Sequence, residues 1–293
     1  MSLVVEEAGA RISAVLVNTA AGLRQISVDD NAGEIGYHGV SIGRWANRIA
    51  NAQFELDDVV YDLVANEGRH QLHGGPAGFH RRHWQGKADL DNGAGVVSLS
   101  MTSPDGDQGF PGLIKAIATM TLIGTRLSIT YHATTSAPTP VNLTNHLYWN
   151  LGGGSLGGHR LMIAADRFIE VDDDKIPIDG PPHSVAGTRF DCRSGREVDA
   201  VVAAGGYDHC FVLADDADGP AVSLSHRDGV SLAVSTNQMG AQVYTGQHLD
   251  RQRQAIAIEP QRAPDMVNRP DFGDPILRPG DEYRSSIVID VSL

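Results

Sequence analysis

Cysteine is nearly absent from this 293-residue chain, which has two, Cys192 and Cys210. That excludes a disulfide framework and any Cys-x-x-Cys pair for zinc or redox chemistry; two free thiols in a reducing compartment are the simpler expectation. Basic residues are also scarce, 23 Lys and Arg against 36 Asp and Glu, giving a net charge of −13. An acidic chain without basic blocks lacks the positive field that nucleic acid and anionic membranes require, so neither is an expected partner. Missing too is any run approaching the roughly 18 apolar residues of a membrane span. Glu6 and Glu7 stand where a secretory leader would have its basic region and apolar stretch, so a soluble, cytoplasmic protein is expected. There is no Gly-x-Ser-x-Gly, no Walker-type loop and no dinucleotide fingerprint opening a helix.

What is plentiful is alternation. In Ile114–Leu122 the apolar Ile114, Ala116, Ala118, Met120 and Leu122 alternate with Lys115, Thr119 and Thr121. After Gly124-Thr125, Leu127, Ile129, Tyr131 and Ala133 alternate with Ser128, Thr130, His132 and Thr134, which predicts a hairpin with one face on a core. Similar runs occur at Val96–Met101, Ala221–Ser225, Val230–Thr236, Ala255–Ile258 and Ser286–Leu293, while no window predicts an amphipathic helix longer than two turns. With 33 Gly, 14 Pro and recurrent turn clusters, the reading is one all-β domain over residues 1–293, a large antiparallel β-sandwich whose loops carry function.

Five segments could carry chemistry. In Gly43–Ile49, two arginines and an asparagine sit among apolar residues in a stretch that reads as strand. Surface salt bridging is the plain explanation; the functional one is that Asn47 and Arg48 form a polar fork for ligand hydroxyls. Four histidines lie between residues 70 and 83, and the paired glycines after His73 suggest a turn where the backbone approaches something closely. No carboxylate or cysteine accompanies these histidines at usual ligand spacing, so a substrate-contacting or simple turn histidine is preferred to a metal site. Val141–Leu151 interleaves three asparagines, His146, Tyr148 and Trp149 with leucines, which implies a dense hydrogen-bond network. Asp208 stands just before an apolar strand, and Glu259 ends a buried-looking strand downstream of Gln242. A carboxylate desolvated in that way has a raised pKa and is a better base.

Taken together and in order, these segments resemble the galactose mutarotase (aldose 1-epimerase) family. The matching stretches are Gly-Arg-x-Ala-Asn-Arg-Ile at Gly43–Ile49, Leu-His-Gly-Gly at Leu72–Gly75 and Asn-x-Thr-Asn-His-x-Tyr at Asn142–Tyr148. Asp208-His209, Gln-x-Tyr-Thr-Gly at Gln242–Gly246, Glu-x-Gln at Glu259–Gln261 and Leu277-Arg278-Pro279-Gly280 complete the set. The resemblance implies a galactose mutarotase-like supersandwich that binds a monosaccharide, an aldohexose, in an open cleft without metal or organic cofactor. It also implies Glu259 as general base and His146 as general acid, with Asn47, Arg48, His73, Asp208 and Gln242 holding the sugar and Tyr148 beside the acid. Trp149 replaces the family's usual Phe, Pro260 lies inside Glu-x-Gln, and the loop from Gln242 to Glu259 looks short. These departures bear on sugar preference more than on chemistry.

Mutarotation suits such a set. The hemiacetal loses the O1 proton while O5 gains one, the C1–O5 bond opens, and reclosure after rotation gives the other anomer. A base on one side of the anomeric centre and an acid on the other are expected. The competing reading from a different class is a non-catalytic sugar-binding or sensor protein on the same scaffold, which has no need of both Glu259 and His146. A glycoside hydrolase would need a facing carboxylate pair, and a hexose-phosphate epimerase extra cationic residues. The preferred sugar and the oligomeric state are not legible in the sequence.

Overall fold

The strongest alternation in the sequence becomes the centre of the largest sheet. In the computed structural model, which describes residues 1–29, 37–214, 219–247, 249 and 254–293, Ile114–Ile123 and Arg126–Thr135 pair antiparallel from Ile114↔Thr135 to Ile123↔Arg126. Gly124, at φ 60°, takes the left-handed conformation that the tight connection needs. Ile114, Ala116, Ala118 and Met120 are buried on the same face as Leu127, Ile129, Tyr131 and Ala133.

The sheet has nine strands, in spatial order Arg196–Glu197, His159–Ile163, Val222–His226, Ser231–Thr236, Tyr283–Ser292, Arg126–Thr135, Ile114–Ile123, Ala94–Ser103 and Gln85–Asp91. Besides that hairpin, four of the five further expected runs fall within it. A six-stranded antiparallel sheet faces it, ordered Tyr148–Trp149, Ile256–Gln261, Gly240–Tyr244, Asp208–Val212, Arg167–Phe168 and His183–Ser184. The shared core joins Ile129, Val234 and Ile287 of the first sheet to Phe211, Val243, Ile256 and Ile258 of the second. Burying each such aliphatic or aromatic side chain contributes roughly 1.5–3 kcal/mol. Among the described residues the only α-helix is Val198–Ala203, shorter than two turns, and no helix is long and apolar enough to cross a membrane. Cys192 and Cys210 are buried free thiols.

The strands Gly240–Tyr244 and Ile256–Gln261 of the six-stranded sheet are buried on both faces, apart from a half-buried Tyr244, and this places the site. Side chains alternate across a strand, so while Val243, Ile256 and Ile258 enter the core, Gln242, Ala257 and Glu259 point the other way. The strand there runs Ile256–Gln261, three residues beyond the end of the expected Ala255–Ile258. Glu259 therefore lies inside the strand instead of ending it, paired with Gln242 across the ladder. Pro260 has no N–H to offer, but its carbonyl accepts the Thr144 hydroxyl at 2.7 Å, which ties the 144–149 segment to this strand. In the loop from Gln242 to Glu259, residues 248 and 250–253 lie outside the described ones.

Candidate active site

Two chain segments meet above the outer face of this sheet. A Cβ at Gly74 (φ 80°) would lie 2.1 Å from the Gly43 carbonyl oxygen, so the paired glycines serve a close approach between two stretches of backbone. Asn47 and His73 then lock to each other, both at positive φ (66° and 52°). The His73 N–H donates to the Asn47 carbonyl at 3.0 Å, and the Asn47 N–H donates to His73 Nδ1 at 3.1 Å. Left-handed backbone at two non-glycine residues costs energy that the surrounding structure must supply, a pattern concentrated at functional sites.

The two arginines of Gly43–Ile49 diverge. Arg44, 2% exposed, donates to the carbonyls of Pro111 (2.7 Å) and Gly112 (2.9 Å) and to the Ser103 hydroxyl (2.6 Å). It is a structural tie deep in the fold and neither a surface salt bridge nor a ligand group. Arg48 forms a bidentate pair with Glu67, Nε to Oε2 at 2.5 Å and Nη2 to Oε1 at 2.9 Å, which fixes its guanidinium in the cleft wall. The stretch read as strand contains only the two-residue strand Arg48–Ile49.

All eight residues singled out in the sequence, Asn47, Arg48, His73, His146, Tyr148, Asp208, Gln242 and Glu259, line one cleft of about 810 Å³. At its floor, His146 Nε2 lies 3.3 Å from Glu259 Oε1, with side-chain exposures of 5% and 2%. The two residues expected to act as acid and base are thus neighbours in the folded chain. Gln242 Nε2 donates to Asp208 Oδ1 at 2.7 Å. Tyr148 stacks on His146, with centroids 4.9 Å apart. Glu259 Oε2, Gln242 Oε1 and His146 Nδ1 are buried without a protein partner among the described residues. Such orphaned polar atoms are what a polyhydroxylated ligand would satisfy.

Burial governs the titrations. It lowers the His146 pKa to about 3, reinforced by His38 and His80. It raises that of Glu259 well above the usual carboxylate value, reinforced by Asp208 and opposed by Arg48. Burial also drives His73 well below the ordinary imidazole range, with His146 adding to the effect. Burial thus favours the neutral form of both histidines and the protonated form of Glu259.

His73, His146 and Glu259 each offer a ligand atom within 4.8 Å of the others, the distances of a possible metal cluster. The hydrogen-bond pattern at His73 opposes that use. Its Nδ1 accepts the Asn47 N–H, which assigns the proton of the neutral ring to Nε2. A metal ligand needs a lone pair there, and ligating histidines ordinarily donate through the other nitrogen. His73 is instead a preset N–H donor. Of the remaining histidines of the 70–83 stretch, His70 also lines the cleft and faces Asp174 at 3.3 Å, His80 packs on Tyr37 at 4.9 Å, and only His83 turns away, reaching Glu7 at 3.6 Å.

Sequence reasoning missed Tyr37, Glu67, Asp174 and Tyr244, which also line the cleft. Tyr244 sits within Gln242–Gly246 and carries a signal there. The other three lie outside any strand, where periodicity gives none.

A family model described as Aldose 1-epimerase matches residues 1–290. The chain is 40% identical over 272 residues to an aldose 1-epimerase of Escherichia coli (strain K12), covering 84% of this chain and 78% of that one. It is 39% identical over 266 residues to the galactose mutarotase of Homo sapiens, covering 84% and 76%. Its fold matches an aldose epimerase homologue from C. elegans with a TM-score of 0.91 at 30% identity, over 99% of this chain and 95% of that one. A galactose 1-epimerase from Lactobacillus acidophilus matches with a TM-score of 0.88 at 27% identity, over 99% and 90%.

Proposed function

Because the chain belongs to the aldose 1-epimerase family, we propose that it interconverts the α and β anomers of a free hexose such as galactose or glucose, with Glu259 as base and His146 as acid. The observation that carries this assignment is the buried contact of 3.3 Å between the two side chains at the cleft floor. Ring opening passes through the less favoured tautomer of the pair, in which the proton has moved from Glu259 to His146 to give a carboxylate and an imidazolium. Glu259 takes the proton of O1–H as the C1=O1 bond forms, the C1–O5 bond breaks, and His146 Nε2 gives its proton to O5. The pair is left as a neutral carboxylic acid and a neutral imidazole, the forms that burial favours. After rotation about C1–C2 the transfers reverse: Glu259 returns its proton to O1 and His146 takes the proton from O5. The site ends as it began, with one proton shared between two groups.

The other cleft residues hold and orient the sugar. His73 donates from Nε2, and Arg48, anchored on Glu67, presents positive charge to oxygens that gain charge as the ring opens. Asn47 accepts the Arg48 N–H at 2.9 Å through Oδ1, so its amide nitrogen is the end that serves a sugar hydroxyl. Asp208 and Gln242, joined at 2.7 Å, offer a carboxylate and an amide carbonyl to further hydroxyls.

Polarimetry of freshly dissolved α-glucose, α-galactose and related aldoses, in buffer containing chelator, tests the reading. At least one sugar should reach its anomeric equilibrium faster than in buffer alone. His146→Asn and Glu259→Gln should each lower kcat by about 10²- to 10⁴-fold, the usual worth of general acid–base catalysis. Near-parent turnover in either variant would remove that residue from the mechanism.

A further inference from the structure

The acid His146 does not stand alone in the cleft: it is the third ring of a stack of four. His38 lies against Tyr148 with centroids 4.1 Å apart and 26° between planes. Tyr148 lies against His146 at 4.9 Å and 28°, and Tyr37 covers the imidazole at 5.7 Å and 24°. Tyr37 is itself wedged between two histidines that meet it edge-on, His73 at 4.4 Å and His80 at 4.9 Å. The Asn66 side chain lies close enough to its hydroxyl to oppose the rise that burial gives its pKa. The Asn66 side chain in turn accepts the Leu72 N–H at 2.7 Å and donates to the Leu72 carbonyl at 3.0 Å. One tyrosine thus connects the turn that carries His73 to the ring of His146.

We infer that Tyr37 is a positioning residue for the epimerase reaction, fixing the plane of the His146 imidazole against Tyr148 so that Nε2 points at the ring oxygen of the sugar. The inference rests on His146 being the acid. An imidazole turns about its Cβ–Cγ bond in a broad torsional well, so hydrogen bonds or packing must fix its plane. Here His146 Nδ1 has no hydrogen-bond partner among the described residues. The usual anchor of a catalytic histidine, a second-nitrogen hydrogen bond, is therefore replaced by ring packing on two faces. Stacking also suits the charge cycle. The faces of phenol rings attract a cation, so the two tyrosines favour the imidazolium that must form transiently between them. The charged and titratable groups facing His146 are Glu259, His38, His73, His80 and the two tyrosines, and among these only Glu259 supplies negative charge.

The test compares Tyr37→Phe with Tyr37→Leu in the full chain, both confirmed as folded by their melting curves. The phenylalanine variant keeps both ring faces and should retain kcat within about 2-fold. The leucine variant should lose about 3- to 10-fold in kcat, the worth of one aromatic pair, with KM little changed. NMR of the His146 ring signals should show one sharp set in the parent and Tyr37→Phe, and exchange-broadened signals in Tyr37→Leu. That signal reads the order of the ring whether or not His146 moves protons, so it separates failure of this inference from failure of the acid assignment. Sharp His146 signals in Tyr37→Leu overturn the inference. So does a loss confined to KM, which would make Tyr37 a sugar contact. An equal loss in both variants overturns it as well, since only the Tyr37 hydroxyl would then matter.

Discussion

Glu259 and His146 are pushed in opposite directions by one cause, removal from water, and the pH dependence of turnover follows from that. Burial disfavours the charged form of each, so the carboxyl holds its proton to higher pH and the imidazole accepts one only at lower pH. The active population is the pair with one proton. It is lost on the acid side when His146 takes up a second proton, at about 3, and on the alkaline side when Glu259 surrenders the last one above its raised value. Lowering the pH from about 7 to about 5, a range in which an ordinary histidine changes charge, should therefore bring no loss of kcat/KM. A stopped-flow polarimetric profile checks this. A decline centred near about 6.5, the ordinary imidazole value, would mean that a histidine must remain neutral for turnover, and the one-proton assignment would fail.

Within the Gly43–Ile49 segment two arginines four residues apart have unrelated tasks. Arg44 bonds several carbonyl and hydroxyl oxygens in the interior, and these would be left unsatisfied by its removal. Arg44→Met should therefore cost on the order of 3 kcal/mol or more of stability, measured by denaturant unfolding. Arg48 faces a Glu67 side chain that is 39% exposed. Arg48→Ala should cost only about 1 kcal/mol of stability, while kcat/KM falls at least about 10-fold through lost charge stabilisation. Equal stability losses would place both arginines in the framework. The sequence set Arg48 apart from Arg44 through its place beside Asn47 in a possible polar fork and through family resemblance, since residue type is the same for both. What tells them apart is contact with Pro111 and Gly112 in one case and Glu67 in the other, and such long-range partners leave no mark on local periodicity. The strands were legible wherever one face is buried, as in Ile114–Ile123, because alternation records that burial. Glu259 was misplaced to a strand end because Ile256–Gln261 is buried on both faces and its polar residues break no visible alternation. Tyr37 and Asp174 reach the cleft from loops, and nothing in their own neighbourhoods announces it.

At the scale of the whole molecule, the cleft draws side chains from residue 37 to residue 259, so a bound sugar bridges segments that meet only in the folded chain. A ligand that binds only the folded state stabilises it by about 2.7 kcal/mol at 100 times its Kd. At about 2–4 °C per kcal/mol for a chain of this order, the melting temperature should rise by roughly 5–10 °C at that concentration of a good substrate sugar. The double variant His146→Asn/Glu259→Gln keeps Asn47, Arg48, His73, Asp208 and Gln242, and both replacements retain hydrogen-bonding side chains of similar size. Its melting temperature should therefore rise with sugar nearly as much as the parent's, while its mutarotation falls close to the uncatalysed rate. The combined loss in kcat should be smaller than the product of the two single losses, because a base and an acid that share one proton act as a unit. Thermal scans across a sugar titration, run beside polarimetry on the same samples, decide the matter. Loss of the sugar-induced shift together with activity would assign the pair to binding. Parent-like turnover in the double variant would remove both residues from the chemistry and leave the cleft without its proposed acid and base.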